Sequence, residues 1–159
     1  MTYYPLSLSP AGIEFIEREE YFVDHFYLDS VGLGTIGYGS TMYKDGTKPK
    51  AGDTITEEAA SDLLLWAVTQ KTNAVSHLIR NPLNQNQQDS LISLISKIGV
   101  AGFTTSIVLR LINQNQNDPD IGLAWFAWNK GYIRGVLTVL PGLTKRRARE
   151  YANYIKPII

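Results

Sequence analysis

Tyr27-Leu28-Asp29-Ser30-Val31-Gly32-Leu33-Gly34-Thr35-Ile36-Gly37-Tyr38-Gly39 is the stretch whose reading decides the fold. Aromatic and β-branched residues suit strands, and four glycines interrupt them at short intervals. That texture predicts tight hairpins whose backbone turns sharply or approaches a neighbour closely. Downstream, Asp45-Gly46 marks another turn and Thr54-Ile55 is placed to close a small sheet. Upstream, Ser9-Pro10 reads as helix cap and first helical residue of a helix reaching about Glu20. Ile13, Phe15 and Ile16 form its apolar seam. At about 100° per residue, Glu19 and Glu20 flank that seam, about 55° and 45° from its centre.

From Thr56 onward the pattern is helical. Thr56 caps a helix whose first turn holds Glu57 and Glu58, as the helix dipole favours, and which can run to Arg80 before Asn81-Pro82 stops it. Asn84 or Gln85 starts the next helix, with Leu91, Leu94, Ile95 and Ile98 at helical spacing and Gly99 as its end. Further helices are expected at 105–112, 119–130 and 143–155. The architecture is α+β: one domain over 1–159, with a small N-terminal sheet lobe (about 12–60) and a larger helical lobe (about 61–159). A long helix joins the lobes, a cleft lies between them, and the N-terminal helix packs near it.

Charge divides along the same line. Residues 1–62 hold four Lys/Arg against eleven Asp/Glu, and 63–159 hold eleven against four, as expected if two lobes attract across a cleft. No strongly basic surplus stands outside Lys145–Arg149, which argues against nucleic acid. The chain has no cysteine and only two histidines, His25 and His77, so disulfides are excluded and neither a metal nor another cofactor is expected. No run of eighteen apolar residues exists, so stable membrane insertion is not expected. The first ten residues lack the features of a secretory signal peptide.

Cleaving a glycosidic bond takes one carboxylic acid to protonate the leaving oxygen and a second carboxylate opposite it. An apolar setting keeps a general acid protonated, whereas exposed amides and water favour an ionised carboxylate. Glu20 stands at the end of a half-buried helix, followed by Tyr21 and Phe22, and Asp29 lies in the glycine-rich turn. Glu19 and Asp24 compete as acids, and helical periodicity does not choose between Glu19 and Glu20.

The run Glu20-x8-Asp29-x5-Thr35, followed by Ile36-Gly37-Tyr38-Gly39, resembles the catalytic signature of the phage-type lysozymes, the endolysin muramidases of glycoside hydrolase family 24. Ile55-Thr56-Glu57, Gly99-Val100-Ala101-Gly102-Phe103-Thr104, Trp128-Asn129-Lys130 and Pro141-Gly142-Leu143 with Arg146-Arg147 and Glu150 continue the resemblance in order, from about Gly12 to Tyr151. The resemblance implies a lysozyme fold and hydrolysis of the β-1,4 link between N-acetylmuramic acid and N-acetylglucosamine in bacterial peptidoglycan. It implies Glu20 as acid, Asp29 and Thr35 positioning the attacking water, and inversion at the anomeric carbon. The carboxyl groups would then stand roughly 6.5–9.5 Å apart. Gly37, Tyr38, Lys97 and Phe103 are expected at the substrate, and Arg146 or Arg147 ordering Glu20. A monomer made in the cytoplasm of a phage-infected or lysogenic host, reaching the wall by a pore or lysis, completes the expectation.

Four positions depart from the family pattern. Tyr21 stands where a glycine usually follows the catalytic Glu. Ser40 replaces a histidine whose usual acidic partner is Ala67 here. Lys97 stands near where an amide is more usual. An alternative is therefore a weak or inactive lysozyme fold kept as a peptidoglycan-binding or interaction module.

Overall fold

The computed structural model describes residues 4–158, which form two compact units. One is the uninterrupted segment Ile13–Gln70; the other joins the N-terminal residues through Gly12 to the chain from Lys71 onward.

The segment Ile13–Gln70 begins within α1 (Pro10–Glu20). Ser9 starts this helix as its sequence suggests, its Oγ accepting from the Gly12 amide at 3.1 Å. Strands β1 (Val23–Leu28) and β2 (Gly34–Gly37) follow as an antiparallel pair, with Tyr27 opposite Thr35 and Leu28 opposite Gly34. Thr54 does close the small sheet, bridging to His25, while the Ile55 amide donates to the Asp24 carbonyl at 2.9 Å. Thr56 caps α2 (Glu57–Val75), accepting from the Ala59 amide. Gly37 is buried with φ +66, and a Cβ there would stand 2.9 Å from Ala60 Cβ, so the glycine lets β2 lie against α2. Ile16, Ile36, Ala60, Leu63, Leu64 and Val68 form the core of this unit.

Helix α2 ends sooner than Arg80. The Ser76 hydroxyl donates back to the Thr72 carbonyl, and the chain tightens into a 3-10 turn at Ser76–Leu78 before extending at Ile79. Helix α3 (Gln85–Thr104) starts at a reciprocal cap: Asn84 accepts from the Gln87 amide and the Gln87 side chain from the Asn84 amide. Gly99 does leave helical geometry (φ 82, ψ 170), but it marks a kink and not the end, because 100–104 resume the helix. Ser106 caps α4 (Ile107–Gln114), two residues later than expected. The helix expected over 119–130 is only α5 (Ile121–Phe126). It is followed by a hairpin that the sequence reading missed, β3 (Lys130–Ile133) and β4 (Val136–Val139). Helix α6 (Pro141–Tyr154), with proline in its first turn, packs on α3. Leu91, Leu94, Ile95, Ile112, Ile121 and Trp125 are fully buried in this unit's core.

Candidate active site

Glu20, Asp29 and Thr35 all lie in the Ile13–Gln70 unit. Glu20 is the last residue of α1, and Tyr21, immediately after it, holds φ 56, a left-handed backbone. The Tyr21 amide still bonds the Glu17 carbonyl at 3.1 Å, the usual way a helix closes on a residue of this conformation. Glycine adopts that conformation freely and tyrosine does not, which accounts physically for the glycine of the family pattern.

Asp29 organises the turn between β1 and β2. Its Oδ1 accepts from the amides of Val31 at 3.0 Å and Leu33 at 2.8 Å, and its backbone amide donates to the Leu33 carbonyl at 3.0 Å. Both turn bonds fall on Oδ1, so Oδ2 remains outside them. Thr35 is buried on β2, and its hydroxyl donates to the Leu33 carbonyl at 2.8 Å. A threonine hydroxyl has one proton to give, so the Thr35 oxygen faces any further partner as an acceptor.

Tyr27 and Gly39 also adjoin these side chains, although the sequence reading quoted them without naming them as site residues. Burial raises the pKa of the Tyr27 hydroxyl, and the charges of Glu20 and then Asp29 push it the same way. The two carboxylates thus act on one phenol. A Cβ on Gly39 (φ +76) would stand 3.0 Å from Glu20 Oε2. Hairpin register, which sets Tyr27 opposite Thr35, was the signal that would have found Tyr27. Of the competing acids, Glu19 is half-buried, whereas Asp24 is exposed and bonded to the neighbouring His25 Nδ1 at 2.9 Å.

The expected substrate contacts fare unevenly. Phe103 has no exposed surface, so it packs the core and offers nothing to a ligand, a correction to its expected role. Tyr38 is also buried. Its hydroxyl donates to Glu57 Oε1 at 3.0 Å, and its pKa is pushed up to about 12 by burial and then by that bond. Gly37 serves packing on α2, as described, and Lys97 is exposed on α3. Arg146 and Arg147 are buried in the other unit, where both converge on Glu150: Arg146 Nε to Oε2 at 3.2 Å and Arg147 Nη1 to Oε1 at 3.1 Å. Ser40, in place of the histidine, has a buried hydroxyl with no hydrogen-bond partner among the described residues. A separate acidic groove of about 760 Å³ runs beside Glu17, Tyr38, Glu57, Glu58 and Asp62, and none of Glu20, Asp29 or Thr35 lines it.

This arrangement has a lysozyme-like fold. It superposes on an endolysin of Escherichia coli O157:H7 phage FAHEc1 with TM-score 0.91 (32% identity, 97% of this chain and 96% of that one). It superposes on the muramidase domain of SpmX from Asticaccaulis excentricus with TM-score 0.83 (31% identity, 96% and 99%). A curated endolysin of Salmonella phage P22 is 42% identical over 151 residues, covering 94% of this chain and 99% of that protein. The family model for phage lysozyme matches residues 17–150, and the chain belongs to that family. It is a glycoside hydrolase with lysozyme activity on peptidoglycan.

Proposed function

We propose that the protein cleaves the β-1,4 bond between N-acetylmuramic acid and N-acetylglucosamine with Glu20 as general acid, while Asp29 and Thr35 place the attacking water. The hydrogen bonding of Asp29 and Thr35 carries this reading. The Thr35 proton is committed to Leu33, so a water beside it donates one hydrogen to Thr35 Oγ1. It donates the other to Asp29 Oδ2, the oxygen left outside the turn bonds. Both protons engaged, its lone pair is free for the anomeric carbon. As the carbon–oxygen bond to water forms and the glycosidic bond breaks, Asp29 takes the water's proton and Glu20 gives its own to the leaving sugar oxygen. Attack from the face opposite the leaving group inverts the configuration. In the same reading the protein works as a monomer and, like the phage endolysins it resembles, acts on the wall of an infected host.

The test is release of reducing ends from purified peptidoglycan by the native protein and by Glu20→Gln and Asp29→Asn across pH 5 to 8. Proton NMR of the first-formed anomer accompanies it. Loss of turnover in both variants and an α-anomer as first product support the reading. A first-formed β-anomer would exclude the water-placing role. Sacculus binding without turnover in the native protein would favour a binding module, a reading that the left-handed Tyr21 beside Glu20 keeps in view.

A further inference from the structure

Residues 121–149 contain six Lys/Arg and no Asp or Glu; Arg146 and Arg147 are buried on Glu150, and Lys130, Arg134, Lys145 and Arg149 are exposed. Within this segment lies the β3–β4 hairpin, which among the described residues pairs only with itself. Tyr132 faces Leu137 and Ile133 faces Val136 in register, so the two pairs occupy opposite faces of the ribbon. Both faces are bare: Tyr132 is 68% exposed, Leu137 54%, Ile133 49% and Val136 65%. Adjoining exposed apolar side chains of this kind are a common mark of a binding surface. An isolated two-stranded ribbon is at best marginally stable in water, so its apolar sides gain from a covering phase.

The base of the ribbon is fixed. The Leu140 amide donates to the Asn129 carbonyl at 2.9 Å, and the Asn129 side chain donates to Thr144 Oγ1 at 3.1 Å. Its tip is Arg134-Gly135, both with positive φ (50 and 78). The first position of such a turn favours Asn or Gly, and a cation occupies it here. Lys130 at the base and Arg134 at the tip are both exposed.

We propose that this hairpin is a peripheral anchor for anionic phospholipid surfaces. A protein partner would cover one face of the ribbon, whereas the fluid boundary of a bilayer covers both. A glycan would be met by aromatic platforms and hydrogen-bonding groups, and three of these four side chains are aliphatic. The cations supply the complement to lipid phosphates, with Arg134 able to fork two oxygens. Strands of four residues span about 13 Å, less than half of a hydrocarbon core of about 30 Å, so the anchor lies in the interface. Among the described residues no single helix is long and apolar enough to cross a membrane.

The test is co-sedimentation of the whole protein with phosphatidylglycerol vesicles and with phosphatidylcholine vesicles. Val136→Asp and Leu137→Asp alter one face each, and Arg134→Glu alters the tip. The expected result is partitioning to phosphatidylglycerol roughly tenfold above phosphatidylcholine, lowered about tenfold by each variant. Circular dichroism and hydrolysis of soluble wall fragments should not change. The proposal is overturned if the native protein ignores phosphatidylglycerol or if the variants bind it as the native protein does. It is also overturned if the variants lose sacculus binding or self-association, measured by sedimentation velocity, in place of vesicle binding.

Discussion

The Glu20 carboxylate lies over Gly39: a methyl group on that glycine would stand 3.0 Å from Glu20 Oε2. Gly39→Ala therefore imposes a left-handed alanine and displaces the carboxylate together. Activity on peptidoglycan should fall roughly tenfold or more, with a stability loss of about 1–2 kcal/mol. Gly46 has a similar φ of +87 but open space around it, so Gly46→Ala should show the stability loss with full activity per folded molecule. Equal activity in the two variants would show that Gly39 does not set the position of Glu20.

Tyr21→Gly should stabilise the protein. The side chain is 77% exposed and holds φ 56, so little packing is lost and backbone strain is relieved. Offset partly by the greater freedom of glycine in the unfolded chain, the gain should be about 1 kcal/mol, roughly 2–4 °C in Tm by calorimetry.

Ser40→Ala removes a buried hydroxyl that has no hydrogen-bond partner among the described residues. Chemical denaturation should show a gain of up to about 1 kcal/mol, since the desolvation cost of the hydroxyl disappears.

Tyr43 and Asp53 form a bond with a pH window. The phenol donates to Asp53 Oδ2 at 2.7 Å. That bond, followed by the Lys50 amide, holds the Asp53 carboxyl below its ordinary value of 3.8, so its stabilisation is present above 3.8 and fades as pH falls through the lower folded value. Tyr43 is pushed from 10.0 up to about 12 by burial and then by Asp53, so its contribution holds below 10.0 and is lost between there and about 12. Thermal unfolding of native protein and Tyr43→Phe should differ by a constant amount from pH 5 to about 9. The difference should shrink at both ends.

Glu150→Gln should be the most damaging of these changes. Glu150 has no exposed surface and receives Arg146, Arg147, the Trp125 indole at 3.1 Å and the Ser93 hydroxyl at 2.5 Å. Neutralising it leaves two buried guanidinium groups without their carboxylate, a loss of about 3–5 kcal/mol measurable by urea unfolding.

Local chemistry made much of this fold legible. Ser9-Pro10 and Thr56 announce helix starts, and Asn84-Gln85 narrows a third to two residues, because capping is settled by a few adjacent atoms; the glycine-rich run announces the first hairpin for the same reason. The spacing of Glu20, Asp29 and Thr35 was readable; the contributions of Tyr27 and Gly39 needed the register of two strands and a three-dimensional approach. Phe103 was misread as a ligand contact because a motif records position and not burial. The second hairpin escaped for a different reason. A half-buried strand shows itself by alternating apolar and polar residues, and Tyr132-Ile133 and Val136-Leu137 are apolar on both sides, so no alternation exists to detect.

The division of the chain also bears on the order in which it folds. The Ile13–Gln70 segment is continuous, so all its partners are present once Gln70 is made. The other unit needs both ends of the chain: the Leu6 amide bonds Ser76 Oγ, and the Ser9 amide bonds Asp89 Oδ1, across 70 and 80 residues. A segment already folded shortens the effective loop that these contacts must close and reduces its entropy cost. Synthesis from the N-terminus therefore delivers the unit with the candidate catalytic residues first.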